Sequence, residues 1–99
     1  MPSFIIEFAE PAGLQLDALE ANKALLKRLK AVRKTLGYLE TNPRHPGLRT
    51  HKFSALKGPR GEDVFEAYCE NRTPGAYRLF WYYGPGKNII TVLAITPHP

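Results

Sequence analysis

The sequence predicts an α+β domain in which a strand and one or two helices precede three or four strands. Apolar residues recur every three or four positions between Leu25 and Leu39, which is the spacing of one helix face. From Leu48 onward apolar and polar residues alternate, and "NRTPGA" and "GPGK" supply turns between the alternating segments. Because the helices come together near the start, we expect them to pack on one face of a four- or five-stranded antiparallel sheet. The other face is then left partly open.

The first two elements are short. "PSFIIEF" is predicted to be a strand with Phe4, Ile6 and Phe8 on one face. A proline and a glycine follow within five residues, and both interrupt a helical pattern. We therefore expect the first helix to run only from about Leu14 to Ala21.

The second helix has the clearest pattern in the chain. Its apolar positions share one narrow arc and are Leu25, Leu29, Val32, Leu36 and Leu39. Its lysines share the opposite side and are Lys23, Lys27, Lys30 and Lys34. A solvated helix back is the favoured interpretation of these lysines, with a binding surface as the alternative. Pro43 and Pro46 end the helix because neither can continue its hydrogen-bond ladder.

The remaining segments have the period of strands. "LRTHKFSAL" is predicted to be a strand or an extended arm, and "NIITVLAIT", apolar on both faces, a central strand. In "VFEAYCE" one face carries Phe65, Ala67 and Cys69, and the other carries Glu66, Tyr68 and Glu70. In "YRLFWYY" one face carries Leu79 and Trp81, and the other carries Arg78, Phe80 and Tyr82.

Length and composition bound the classes of protein to be considered. Ninety-nine residues with 43% apolar residues suit one folded domain. A single cysteine excludes an intramolecular disulfide. We expect a cytoplasmic protein without membrane contact, because no signal peptide is evident and no apolar run approaches the roughly 20 residues that span a bilayer.

Charge is segregated along the chain, with a net charge of +5. Apart from Glu40, all carboxylates lie between Glu7 and Glu20 or between Glu62 and Glu70. Such segregation favours an acidic partner, with nucleic acid first and an acidic protein second. The alternative is that the chain is one of many modestly basic soluble proteins.

Arg78 is the one cation within an aromatic strand, and a guanidinium cannot be buried alone. Two outcomes are open. Arg78 pairs across the sheet with Glu66 or Glu70, or it faces the open side and binds a phosphate, which its planar fork fits.

Other candidate residues follow from the same chemistry. His98, between two prolines, is a candidate proton carrier for RNA cleavage, with a frayed terminal histidine as the alternative. The basic arm from Arg44 to Gly61 offers contacts to RNA phosphates, and an aromatic of the later strands offers a stacking surface. The predicted RNA-binding residues are Arg49, His51, Lys52, Lys57, Arg60 and Tyr82. No zinc-type ligand spacing and no glycine-rich phosphate loop is present, so we expect neither a metal nor a cofactor.

Four segments, "ETNPRHPGLRTHKF", "GEDVFEAYCEN", "YRLFWYYG" and the last strand, together resemble the RelE/ParE toxin superfamily. The resemblance implies a strand and two helices on one face of an antiparallel sheet. RelE-like members cut messenger RNA in the ribosomal decoding site without a metal, and ParE-like members inhibit DNA gyrase. An antitoxin protein encoded beside the toxin holds both inactive. The partners implied are thus a cognate antitoxin, the ribosome and mRNA, with a homodimer or a heterotetramer as the assembly.

The family's functional residues match this chain in part. Arg78 corresponds to the arginine that contacts the scissile phosphate, and His98 lies where some members have a terminal catalytic histidine. The strand lysines of RelE are replaced by Glu66 and Tyr68. The resemblance therefore implies a metal-independent endoribonuclease, with a gyrase inhibitor or a catalytically inactive binding protein of the same fold as the alternative.

Overall fold

A computed structural model of the chain describes residues 3–71 and 73–97. Two helices and five strands form in the order β1 (Ile5–Phe8), α1 (Glu10–Ala21), α2 (Leu26–Thr41), β2 (His51–Lys57), β3 (Asp63–Tyr68), β4 (Tyr77–Tyr83) and β5 (Ile89–Pro97). The strands form one sheet with the order β1-β5-β4-β3-β2. The predicted α+β class is confirmed. None of the helices in the described part of the chain is long and apolar enough to cross a membrane.

The prediction of a purely antiparallel sheet is wrong at one strand. β2 to β5 form antiparallel neighbours, but β1 pairs in parallel with β5, placing Ile5 beside Ile89 and Phe8 beside Val92. The antiparallel neighbours follow one another in sequence, so the chain reverses direction between them. β1 and β5 are separated by both helices and three strands, and no such reversal constrains their relative direction.

α1 begins earlier than the predicted Leu14. The helix starts at Glu10, so Pro11 lies in its first turn, where the missing N–H would have no intrahelical partner anyway. Gly13 is accommodated inside the helix. The buried residues of α1 are Ala12 and Leu19, which pack on the sheet side.

α2 follows the predicted apolar pattern. The Asn22 side chain caps a short 3-10 turn that leads into the helix. Its Oδ1 accepts a hydrogen bond from the backbone N–H of Ala24 at 3.0 Å. Leu29, Val32 and Leu39 are each at most 5% exposed. The helix ends at Thr41, shortly before Pro43, as predicted.

The two faces of the sheet bury different residues. The face toward the helices contributes Ala67, Leu79, Trp81, Ile90, Val92 and Ile95 to the main core. On the opposite face, which we call the open face, Val64, Phe80 and Tyr82 form a smaller apolar cluster. The predicted alternation in β3 and β4 is therefore confirmed, and the open face carries the polar side chains of these strands.

Cys69 lies just beyond β3 and packs against the main core. Burial raises the pKa of its thiol to about 12, because an apolar environment disfavours the thiolate. A hydrogen bond with Thr35 lowers this pKa, and the nearby Glu70 carboxylate raises it, but both effects are smaller than that of burial. The thiol is thus held protonated at neutral pH.

Replacing Leu39 by alanine should lower the free energy of unfolding by about 2–5 kcal/mol, since the side chain is fully buried and a cavity would remain. The matched control is Leu14→Ala on α1, where the leucine is 62% exposed and a change within about 0.5 kcal/mol is expected. Urea unfolding followed by circular dichroism measures both values. Equal losses in the two variants would contradict the placement of the core.

Because the Cys69 pKa is raised on folding, its contribution to stability is complete below the thiol's ordinary value and declines above it. The unfolded thiol ionises near pH 9.0 and the folded thiol near pH 12, so stability should fall between these values. The slope attributable to Cys69 is at most about 1.4 kcal/mol per pH unit. Urea unfolding of the protein and of Cys69→Ala at pH 8 to 10.5 isolates this slope as a difference, and parallel curves would refute the raised pKa.

Candidate functional site

The side chains of His51, Glu66 and Arg78 meet on the open face of the sheet. Glu66 is central, with a side chain only 3% exposed. His51 Nε2 lies 2.7 Å from Glu66 Oε1. Arg78 Nη1 donates to Glu66 Oε2. We call these residues the Glu66 cluster.

Strand register brings the cluster together. His51 on β2 lies directly opposite Glu66 on β3. Arg78 on β4 lies opposite Tyr68, which is two residues from Glu66 and therefore on the same face. Neighbouring positions on one face of a sheet are within reach of long side chains, so Arg78 approaches Glu66 diagonally.

The exposed fraction of the side chains in the Glu66 cluster rises from Glu66 through Arg78 to His51. The side chain of Glu66 is 3% exposed, that of Arg78 is 15% exposed and that of His51 is 48% exposed. The Tyr68 ring lies 5.7 Å from the His51 ring, and Arg78 Cζ lies 5.0 Å from the centre of the Phe80 ring. Solvent and ligands therefore reach the imidazole first.

Hydrogen bonds orient the His51 ring. Its Nδ1 lies 3.3 Å from the carbonyl oxygen of Arg49, and its Nε2 faces the Glu66 carboxylate. Both neighbours are hydrogen-bond acceptors, and the tautomer of the ring decides which of its nitrogens donates. The arrangement holds the ring in place at the edge of the open face, with the carboxylate as its inner partner.

Of the two outcomes open for Arg78, the structure has the cross-strand pair, and the partner is Glu66. Glu70 has another role, because β3 ends at Tyr68 and the chain beyond it leaves the open face. There Glu70 pairs with Arg28 of α2 at 2.8 Å, and Arg28 also donates to the carbonyl oxygens of Pro74 and Gly75. Arg78 Nε is buried and has no hydrogen-bond partner among residues 3–71 and 73–97.

The predicted proton carrier His98 lies outside the described residues. At the last described residues of β5, Thr96 pairs with Arg78 and Pro97 pairs with Tyr77.

The lysines of the basic arm form ion pairs with a carboxylate, whereas its arginines Arg49 and Arg60 do not do so among the described residues. Lys52 and Lys57 both pair with Asp63, at 3.3 and 2.8 Å, and these lysines hold the pKa of that carboxyl below its ordinary value. Arg49 and Arg60 are exposed, and neither guanidinium forms an ion pair within the described part of the chain. The predicted phosphate-binding residues thus remain on the surface, with the two lysines drawn toward one carboxylate.

Tyr82 does not lie where the sequence prediction requires it. The side chain is 5% exposed within the apolar cluster of the open face, so its ring has no free side on which a base could stack. The alternation of β4 placed Tyr82 on the correct face, but the strands and side chains around it cover that position. Tyr68, in contrast, is only half-buried, and its ring lies beside that of His51.

Sequence reasoning missed that His51 and Arg78 share one carboxylate. Period-two patterns predicted Glu66 and Arg78 on one face, but the offset of β2 against β3 has no signal in the sequence. Within residues 3–71 and 73–97 no group of three or more histidine, cysteine or acidic side chains could hold a metal ion.

Neither a protein-family model nor a curated protein matches this chain. Solved structures match its fold over nearly its full length. A chain of the archaeal RelE–RelB complex from Pyrococcus horikoshii superposes with a TM-score of 0.63 and 18% identity, covering 96% of this chain and 94% of that one. The YoeB dimer from Staphylococcus aureus gives 0.63 and 17%, with 98% and 99% covered. The YoeB/ParE toxin from Agrobacterium tumefaciens gives 0.68 and 8%, with 95% and 98% covered.

These likenesses confirm the RelE/ParE-like fold that the sequence segments predicted. At identities of 8 to 18% they are likenesses of architecture. The open face of the sheet and its side chains must therefore supply the argument for function.

Replacing Arg78 by alanine should lower the free energy of unfolding by about 3 kcal/mol, because it leaves the buried Glu66 carboxylate with one partner fewer. Adding Glu66→Gln to Arg78→Ala should recover part of that loss, with a coupling energy of at least about 1 kcal/mol. Chemical unfolding of the single and double variants measures the cycle.

Arg33→Ala is the control for this cycle, because Arg33 and Glu20 form an exposed pair with side chains 58% and 43% exposed. Its cost should be below about 1 kcal/mol. Additive losses for Arg78→Ala and Glu66→Gln would show that the buried pair does not form.

Proposed function

We propose that this protein is the toxin of a toxin–antitoxin pair, and that its open face binds RNA and cleaves it without a metal. The observation that carries the proposal is the Glu66 cluster, in which a surface imidazole and a guanidinium share one buried carboxylate. The fold supports it, since the matching structures include the YoeB/ParE toxin from Agrobacterium tumefaciens and the YoeB–YefM toxin–antitoxin complex from Staphylococcus aureus.

The chemistry needs a proton acceptor, a proton donor and a cation. The ribose 2′-hydroxyl loses its proton and its oxygen attacks the adjacent phosphorus, while the bond from phosphorus to the 5′-oxygen breaks and that oxygen takes up a proton. The products carry a 2′,3′-cyclic phosphate and a 5′-hydroxyl. This route uses proton transfer and charge stabilisation, which histidine and arginine side chains provide.

Each member of the cluster has a distinct part. His51 is the exposed proton carrier; Glu66 holds its Nε2, so the nitrogen that exchanges a proton with RNA is Nδ1, which lies 3.3 Å from the Arg49 carbonyl oxygen. Arg78 offers its remaining N–H groups to the phosphate oxygens, where the negative charge increases as the phosphorane forms. Glu66 is a positioning residue, because it orients both side chains and is itself too buried to reach the backbone of RNA. His98, which follows β5, is the proposed second proton carrier.

The basic arm provides the backbone contacts in this proposal. Arg49 and Arg60 are exposed beside β2, and Lys52 and Lys57 lie on the same edge strand. Although Asp63 pairs with both lysines, two ammonium groups facing one carboxylate retain net positive charge. Such contacts bind the backbone of RNA with little regard to sequence and weaken as salt rises.

An antitoxin is the proposed protein partner. Two of the matching structures are described as complexes of this kind, the RelE–RelB complex and the heterotetrameric YoeB–YefM complex. For this chain, its net charge of +5 favours an acidic antitoxin, which would cover the basic surfaces and block the approach of RNA.

A second candidate function is binding without cleavage, for example inhibition of a gyrase-like protein. The observation that favours it is the pairing of Arg78 with Glu66, which neutralises one of the cations that cleavage requires. In this case the Glu66 cluster would be a structural tie between strands, and a protein target would contact the basic surfaces around it.

The proposal is tested by measuring RNA cleavage by the purified protein in the presence of a chelator. The substrate is free RNA in one assay and ribosomes carrying mRNA in the other. His51→Ala and Arg78→Ala should each lower the cleavage rate by about a hundredfold or more, because proton transfer and charge stabilisation contribute that much. The ends of the products identify the chemistry. A His98→Ala variant measures how far the second imidazole takes part.

Arg28→Ala is the matched control, since Arg28 is also a partly buried arginine paired with a glutamate, but on the helix side of the sheet. It should keep its cleavage rate at a temperature where all variants are folded. Expression of the same variants in growing cells gives a second measurement. If His51→Ala and Arg78→Ala still arrest growth while RNA stays uncut, the binding function is favoured and the proposed nuclease is removed.

A further inference from the structure

A groove of about 590 Å³ lies on the helix side of the sheet, where the connection from α2 to β2 passes over β3 and β4. Three aromatic side chains form one wall. The Phe65 and Trp81 ring centres are 5.1 Å apart, and those of Trp81 and Tyr83 are 4.9 Å apart. Tyr83 is 42% exposed, so the wall presents a ring edge and face to a ligand. A volume of this size suits a small organic molecule.

The opposite side of the groove is cationic. Arg44 and Arg49 both line it and are exposed. Within the described part of the chain neither guanidinium forms an ion pair, whereas Arg28, Arg33 and Arg78 each bind a carboxylate. The residues that line the groove include no acidic side chain. The groove therefore favours an anion, and a guanidinium fork favours phosphate or carboxylate oxygens in particular.

Two polar atoms of lining residues lack hydrogen-bond partners among residues 3–71 and 73–97. They are Nε1 of Trp81, a residue only 1% exposed, and Oγ1 of Thr50. Buried donors are nearly always paired, and an unpaired one destabilises the folded protein. Because both residues line the groove, a ligand acceptor that reached these atoms there would give each of them a partner.

We propose that this groove binds a nucleotide. The base packs against the ring of Tyr83 and offers its ring-nitrogen acceptors to Trp81 and Thr50, and the phosphate binds Arg44 and Arg49. A nucleotide supplies a planar ring, acceptors and a phosphate in one molecule. An acidic peptide or a free phosphate satisfies only the arginines.

The groove and the Glu66 cluster lie on opposite faces of the sheet beside the same edge strand, β2. Thr50 lines the groove and His51 belongs to the cluster, and these residues are consecutive at the start of β2. Because β2 is an edge strand, an RNA strand passing over it would place one nucleotide in the groove and the next phosphodiester near His51. This continuity rests on the proposed function, whereas nucleotide binding by the groove does not.

The single tryptophan of the chain, Trp81, reports occupancy of the groove by its fluorescence. Adenosine monophosphate, ribose 5-phosphate, adenosine, inorganic phosphate and a glutamate hexapeptide are titrated separately, with calorimetry as a second measurement. Adenosine monophosphate should change the emission and bind at least about tenfold more tightly than any of the others, since only it engages rings and arginines together.

Two variants test the residues. Arg44→Gln should weaken adenosine monophosphate binding about tenfold and leave adenosine binding unchanged, because it removes a charged phosphate donor. Tyr83→Leu should reduce the affinity for adenosine monophosphate to that for ribose 5-phosphate. Arg33→Gln on α2, at an exposed arginine that does not line the groove, is the control and should bind like the unmodified protein.

The outcomes separate this inference from the proposed function. Equal affinities for adenosine monophosphate, inorganic phosphate and the acidic peptide would overturn the nucleotide site, as would equal binding by Arg44→Gln. RNA cleavage without nucleotide binding overturns the inference and leaves the nuclease. Nucleotide binding without RNA cleavage supports the groove and removes the nuclease.

Discussion

The buried carboxylate of Glu66 links β2, β3 and β4 through His51 and Arg78, and the polar part of the open face depends on it. A carboxylate that is 3% exposed is stable only if charged or hydrogen-bonded partners replace the water it has lost. Arg78 on one side and His51 on the other meet this requirement. The same contacts hold the imidazole and the guanidinium at fixed positions near the surface. Stability and candidate chemistry thus arise from one interaction.

The two faces of the sheet are stabilised in different ways. Toward the helices, packing of apolar side chains around Trp81, Leu79 and Val92 excludes water. An ion pair from Arg28 to Glu70, with two further donations to the hairpin turn, fastens α2 to the ends of β3 and β4. On the open face a smaller apolar cluster lies beside the Glu66 cluster. The helices need not cover this face, because the Glu66 carboxylate and the Nη1 group of Arg78 find their partners within the sheet.

The role of Arg78, structural or ligand-binding, depends on how much of its positive charge remains available to a ligand. Pairing with Glu66 uses part of its donor set and neutralises it formally, which favours a structural role. Yet the surrounding lysines and arginines leave the region with a net positive charge. Arg44 and Arg49 lie on the helix side of the sheet, near its β2 edge. Within the described residues neither of them forms an ion pair with a carboxylate. An anionic ligand that follows this edge would meet cations on both faces.

The sequence by itself determined the elements and the faces of their residues. Periods of 3.6 and 2 placed α2, β3 and β4 almost to the residue, since burial of one side of each element demands that spacing. Their patterns also put Glu66 and Arg78 on a common face. The early start of α1 was missed because Pro11 in a first turn is compatible with a helix, and the sequence alone does not distinguish that position from a break.

Only the tertiary structure decided which partners meet. The parallel direction of β1, the choice of Glu66 over Glu70 for Arg78 and the burial of Tyr82 depend on contacts between distant segments. His51 reaches Glu66 because of the offset between β2 and β3, and a shift by one residue would turn its side chain to the other face. Local patterns carry no information on such offsets, because they arise from the packing of the whole sheet.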